Sequence, residues 1–425
     1  MSSELLLTRA KNNEFFQSVK DKDYQRMKEL LKTYPLLISK SDSDAKSALY
    51  YAINGKDVHM AKTVIQLGAD VNKTDLVRRP VGNSFTRHPV SNLYAYSYEE
   101  PALIHAVVTG STDIVSELLA AGADINKQVP SVQSGRSFFG FSTALHTACC
   151  LGNAEIIRLL LEHDADLHVQ GLDGNEPLHF VSTMRHDSDT LPILCEYGAD
   201  VNVPNSKGQY PLYLSCLACN FRHIETLLLY GANPNTLSHG TSPMHFAVIK
   251  RSQYLVELLI QYQANLDLQD GDGVTVLYFD IGHCLNSEIA KLLIYHGANV
   301  NKRVDEKLPL LEYVLEQGRV DCELLSYLIV YAGYKIRQNV EFSRHGLKSQ
   351  RVYDLCLWLK ERQSNSLRLS ELCRVAIRQR LCEVQQGRSI VASIYRLGLP
   401  NMLQQYVCLH DVYQPEPCKS DVRDL

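Results

Sequence analysis

The chain has 425 residues, 45% of them hydrophobic and 21% charged, with 43 basic and 47 acidic side chains for a formal net charge of −4. That is ordinary globular composition, and it excludes a global basic field of the kind that recruits nucleic acid. No apolar run approaches the roughly 20 residues of a membrane span, and the 12 cysteines lack the spacing of a disulfide framework, so reduced thiols are expected.

The N-terminal stretch MSSELLLTRAKNNEFF has an apolar run too short for a secretory signal, and the expected location is the cytoplasm or the nucleus. Residues 1–45, around FFQSVKDKDYQRMKELLKTYPLLIS (15–39), read as an N-terminal capping repeat. From there two signatures alternate. GADVN (68–72), GADIN (122–126), DADLH (164–168), GADVN (198–202), GANPN (231–235), QANLD (263–267) and GANVN (297–301) are variants of one. SALYYA (47–52), PALIHA (101–106), TALHTA (143–148), EPLHFV (176–181), YPLYLS (210–215), SPMHFA (242–247) and TVLYFD (275–280) are variants of the other. The alanines of the first signature are spaced by 54, 42, 34, 33, 32 and 34 residues.

A period near 33 with this punctuation resembles the ankyrin repeat, over roughly residues 12–336. Each unit would be two short helices. Ser, Thr or Pro would start the first helix, and the glycine of the G-A-D signature would end the second in a left-handed conformation. Each repeat exposes a face that only the next can bury, so an all-α solenoid of about nine repeats is expected, used for binding rather than catalysis. LPLLEYVLEQGRVDCELLSYLIVYAGYKI (308–336) would be the last repeat.

The first two spacings are too long, and the excess falls where ankyrin arrays project finger loops. The insertion near 73–99 carries Arg78, Arg79, His88, Tyr94, Tyr96 and Tyr98; the insertion near 127–141 carries Phe138, Phe139 and Phe141. These residue types dominate binding hot spots. Two readings stand side by side: aromatics folded back over the array, or a surface for a protein target.

Catalytic and metal patterns are weak. Cys216 and Cys219 form a C-x-x-C without a second pair, and both are expected in a repeat's first helix as packing residues. DGDG (270–273) lacks the remaining ligands of a calcium loop and is expected as a turn. His146, His179 and His245 recur at one repeat position, which suits a local hydrogen bond better than an active site. No phosphate-binding loop, nucleophile elbow or H-E-x-x-H is present. No enzyme activity, cofactor or metal is expected.

After residue 336 the punctuation stops. Residues 337–365 read as a linker containing a helix, RVYDLCLWLKER (351–362), with Trp358. In LSELCRVAIRQRL (369–381), Leu369, Leu372, Cys373, Ala376, Ile377 and Leu381 follow a helical period, with Arg374 and Arg378 on the charged side. LGLPNMLQQYV (397–407) follows. This tail, residues 366–410, resembles a three-helix SOCS box as found at the C-terminus of the ankyrin-repeat and SOCS-box family; residues 411–425 are a short extension. The resemblance rests on a Leu-x-x-x-Cys-x-x-x-aliphatic element (Leu369, Cys373, Ile377) and an L-P-x-P-like element in which Gly398 replaces the first proline. Arg368 also departs from the small or hydroxylated residue usual before the first element.

The resemblance implies that Leu369, Leu372, Cys373 and Ile377 bind elongin-C, and that Leu397, Leu399, Pro400 and Leu403 bind a cullin. It implies a substrate-recognition subunit working with elongin-B, elongin-C, cullin-5 and a RING-box protein on an unidentified protein substrate, without nucleic acid or membrane. The alternative is a non-catalytic ankyrin scaffold whose C-terminal helices only cap the array.

Overall fold

The computed structural model describes residues 2–80, 95–129, 143–184, 189–284 and 287–302, together with Leu310, Arg378 and Ile394. The chain divides into two compact units, residues 1–207 and 208–425. In the first, five helix pairs follow one another: α1 (Ser2–Lys20) with α2 (Tyr24–Thr33), α3 (Ala48–Asn54) with α4 (Val58–Gln66), α5 (Ala102–Thr109) with α6 (Thr112–Ala120), α7 (Ala144–Leu151) with α8 (Ala154–Glu162), and α9 (Pro177–Ser182) with α10 (Thr190–Glu196). Among the described residues the second holds three more: α11 (Pro211–Ala218) with α12 (Phe221–Leu229), α13 (Pro243–Ile249) with α14 (Gln253–Gln261), and α15 (Val276–Phe279) with α16 (Ser287–Tyr295). The last expected repeat, 308–336, lies outside the described residues apart from the buried Leu310.

Each pair is built from the same local choices. First helices begin on a hydroxyl cap: Ser47, Thr143, Ser242 and Thr275 accept the backbone N–H three residues on. Pro177, Pro211 and Pro243 occupy the first turn, where a missing N–H costs nothing. The link to the second helix is one left-handed residue followed by a cap. Lys56 and Asp57, Gly152 and Asn153, Cys219 and Asn220, and Arg251 and Ser252 fill those two places. This corrects the placement of Cys219: it stands just past α11 at φ 57°, exposed, while Cys216 is buried inside the helix.

First helices are covered on nearly all sides, so small residues serve there; Ala148 and Cys149 in α7 are fully buried. Second helices are amphipathic, and Ile156, Ile157 and Leu160 of α8 reach zero exposure. Truncating such a leucine to alanine costs about 2–5 kcal/mol.

The G-A-D signature ends the second helices as expected, with Gly68, Gly122, Gly198, Gly231 and Gly297 all at positive φ. Its last residue does more than the sequence reading assigned to it. The Asn72 side-chain oxygen accepts from the backbone N–H of Asp124 at 2.7 Å, and Asn126 accepts from that of Asp166 at 3.0 Å. In the second unit Asn235 accepts from the N–H of Asn265 at 2.6 Å, and Asp267 from that of Asn299 at 2.8 Å. One repeat's final signature residue thus holds the next repeat's third.

The histidines form a second set of ties. His146 accepts the Thr143 hydroxyl at Nδ1 (2.8 Å) and donates from Nε2 to the Asn175 carbonyl (3.1 Å). His245 does the same between Ser242 (2.7 Å) and the Val274 carbonyl (3.1 Å). His179 accepts the Glu176 N–H and donates to the Val203 carbonyl, at 3.1 and 3.0 Å. Both His146 and His245 are held in the neutral form by burial, the former with its pKa lowered to about 4.

Candidate protein-interaction surfaces

The first insertion differs from the expected finger loop. Its two ends are strands, β1 (Thr74–Pro80) and β2 (Ala95–Pro101), paired antiparallel as the only ribbon among the described residues. Thr74 stands opposite Pro101, Asp75 opposite Glu100, Val77 opposite Tyr98, Arg78 opposite Ser97 and Arg79 opposite Tyr96. The side chains of Arg78, Arg79, Tyr96 and Tyr98 lie outside what the structure describes. His88 and Tyr94, at the ribbon's far end, lie outside the described residues, as do Phe138, Phe139 and Phe141 of the second insertion.

The ribbon is fastened to the array at its root by buried polar groups. Asp75 accepts the Ser47 backbone N–H at 2.5 Å and the Ser47 hydroxyl at 2.7 Å. Glu100, directly across the ribbon, lies 3.0 Å from Nδ1 of His105. The His105 ring stacks on Tyr50, centroids 4.7 Å apart at 17°, and the Lys46 ammonium sits 4.0 Å above the other partner's ring, that of Tyr50. Lys46 also donates to the Leu76 carbonyl of β1. Burial raises the Asp75 carboxyl above its ordinary value and lowers Lys46, each opposed by its partners. The arrangement is structural: it sets where the ribbon leaves the array.

The motifs that hinted at chemistry resolve into packing. Asp270 Oδ1 accepts the N–H groups of Asp272 (2.9 Å) and Val274 (2.8 Å), so the DGDG carboxylate faces its own backbone. Gly271 donates from its N–H to the Gly240 carbonyl at 2.8 Å, a backbone approach that leaves little room for side chains. Burial pushes the thiols of Cys150 and Cys195 up to about 12, far from a reactive thiolate. Among the described residues no group of three or more His, Cys, Asp or Glu side chains is set to hold a metal, and no helix is long and apolar enough to cross a membrane.

The elongin-C candidates Leu369, Leu372, Cys373 and Ile377 and the cullin candidates Leu397, Leu399, Pro400 and Leu403 lie outside the described residues. Two neighbours do not. Ile394 is fully buried, and Arg378, which the sequence leaves on the charged side of its helix, is only 5% exposed. Its Nη2 donates to the carbonyls of Ile294 at 2.5 Å and Tyr295 at 3.3 Å, at the end of α16. A guanidinium carries five donors and can satisfy them on carbonyl oxygens, which is why this residue tolerates burial there.

Comparison with known proteins matches the ankyrin repeats (3 copies) family to residues 103–205, 181–270 and 212–304, and the SOCS box family to residues 365–408. The chain is an ankyrin-repeat and SOCS-box protein. Mouse inversin is 26% identical over 252 residues, covering 57% of this chain and 22% of inversin. The probable E3 ubiquitin-protein ligase XBOS33 of rice (Oryza sativa subsp. japonica) is 30% identical over 185 residues, covering 40% of this chain and 35% of XBOS33. This chain therefore spans about a fifth to a third of the length of these relatives. Among solved structures, the human ASB11 ankyrin repeat domain aligns over 55% of this chain and 90% of its own, with TM-score 0.41 and 23% identity.

Proposed function

We propose that this ankyrin-repeat and SOCS-box protein is the substrate-recognition subunit of an elongin-B/elongin-C/cullin-5 ubiquitin ligase. The observation that carries the reading is the SOCS box match at residues 365–408, after the repeats and over the same Leu369, Cys373 and Ile377 that the sequence singles out. Both modules are binding modules. The apolar stripe of 369–381 enters a groove on elongin-C, with Leu369 as the anchor and Cys373 as a compact apolar side chain in tight packing. The element at Leu397, Leu399, Pro400 and Leu403 meets cullin-5, which brings a RING-box protein and the ubiquitin-charged enzyme. The array and its two insertions hold a protein target, and the chain's contribution to transfer is proximity. The working compartment is the cytoplasm, with the nucleus open to the same assembly.

The test is co-expression with elongin-B and elongin-C followed by size-exclusion chromatography. A stoichiometric ternary complex is expected, and Leu369→Ala is expected to weaken it by roughly 30- to 1,000-fold, the equivalent of about 2–4 kcal/mol for a buried hot-spot leucine. Unchanged affinity in the variant would remove Leu369 from its role as anchor. A folded chain that elutes alone would instead leave a scaffold whose tail caps the array, a reading favoured by one observation, the seat of Arg378 on the end of α16.

A further inference from the structure

The last four carbonyls of a helix lack intrahelical partners, and they form the negative end of its dipole. In α16 three of these are already occupied by backbone: Leu292, Leu293 and Ile294 accept from His296, Ala298 and Gly297 at 3.1, 2.9 and 3.0 Å. The same bonds close α12, where Tyr230, Ala232 and Gly231 donate to Thr226, Leu227 and Leu228. Helix termination therefore does not require Arg378. What the arginine adds is a tie between residues 83 and 84 positions apart in sequence, on the free second lone pair of the Ile294 carbonyl and on the Tyr295 carbonyl.

The burial is deep enough to matter. Arg378 is 5% exposed, and a guanidinium removed from water is stable only where its donors are engaged. Beside it, the half-buried His296 ring packs edge-on against Tyr295, centroids 5.1 Å apart, and desolvation together with the Arg378 charge keeps it neutral. On the helix expected for 369–381, nine positions at about 100° each place Arg378 roughly opposite Leu369.

We infer that Arg378 is a positioning residue: it clasps the end of α16 so that one side of the 369–381 segment belongs to the repeats and the opposite side is left to elongin-C. This rests on the function proposed above. The clasp sets the direction in which a target held by the array faces the rest of the ligase, while leaving the affinity for elongin-C to the apolar stripe.

The experiment has two arms. In the full chain alone, amide hydrogen exchange is followed in 369–381, in α16 and in α11–α14. Arg378→Ala is expected to speed exchange in the first two by about tenfold or more and to leave α11–α14 unchanged, with Arg378→Lys restoring part of the protection. Unchanged exchange in 369–381 and α16 would overturn the clasp. If the alanine variant does not fold, Arg378→Gln is read in its place by the same criteria.

In the second arm, the chain carrying a fluorophore at position 250 is bound to elongin-B and a labelled elongin-C, and single-molecule energy transfer reports the distance. The parent is expected to give one narrow distribution. Arg378→Ala is expected to broaden it while elongin affinity stays within about twofold, and Arg378→Lys to narrow it again. A narrow, unmoved distribution in the alanine variant would overturn the positioning role, and so would loss of elongin binding by a folded variant, which would make Arg378 a docking residue. If the parent itself does not bind elongin, the ligase reading falls, and the exchange arm still decides the clasp.

Discussion

Histidine 146 shows how much one residue carries at a joint between repeats. Its neutral ring receives one hydrogen bond from its own helix cap and gives another to the following repeat, an arrangement that protonation at Nδ1 destroys. A pKa of about 4 in the folded chain, against about 6.5 unfolded, means the unfolded state binds the extra proton first as pH falls. The stabilisation is thus complete above pH 6.5 and declines on the way to pH 4, by up to about 3 kcal/mol. Buried carboxyls such as Asp75 and Asp267, with raised values, titrate in the opposing sense. The informative measurement is therefore the gap in melting temperature between the parent and His146→Gln, which should narrow as pH is lowered from 7 to 5. A gap that stays constant would show that the proton does not reach this site differently in the two states. Gly240 makes a second case at the same scale. It sits at φ 76°, and a Cβ there would come within 3.0 Å of the Gly271 Cα, so Gly240→Ala should cost roughly 1–3 kcal/mol, read by denaturant unfolding. The histidine positions were legible in sequence because they repeat. The pairing of Gly240 with Gly271 was not, since it depends on two loops 31 positions apart meeting backbone to backbone.

The ribbon is the element that sequence reasoning described least well. Its excess length located the insertion, but length says nothing of strands. The signal was there in the recurrence of tyrosine at positions 94, 96 and 98, a period of two rather than 3.6. Knowing the register changes how the insertion is to be tested. Removing 75–97 would take Asp75 away from Ser47 and expose donors that are otherwise buried and satisfied. Removing 81–94 and joining 80 to 95, which are partners in the ribbon, leaves the root intact. The shorter excision is expected to shift the melting temperature little, by about 2 °C or less, while the longer one lowers it by several degrees. Equal effects would mean that the Asp75–Ser47 bonds contribute nothing to the array.

For the whole molecule, the repeats were readable because each must satisfy the same neighbour, so the same residues return every 33 or so positions. Thr143, Ser242 and Thr275 at the caps, and the glycines that end the second helices, are constrained by geometry that does not vary from one repeat to the next. The tail offers a single copy, and there the sequence alone separated an apolar stripe from a charged side without revealing that Arg378 on the charged side is buried. Nearest-neighbour stability predicts how the chain responds to loss of that tail. Ending it after residue 336 should raise amide exchange in α16, whose last carbonyls lose the guanidinium, and leave α11–α14 as they were. Exchange that rises through the whole second unit would show longer-range coupling than a repeat array allows.

The ladder of signature side chains has a direction, and that bears on how the protein is made. Asn72, Asn126, Asn235 and Asp267 each wait for an N–H that lies 52, 40, 30 and 32 residues further along. On a ribosome the chain emerges acceptor first, so none of these rungs closes until the following repeat has left the exit tunnel. The ladder is in this sense vectorial: a product that stalls within any of these four spans carries an open acceptor near its growing edge.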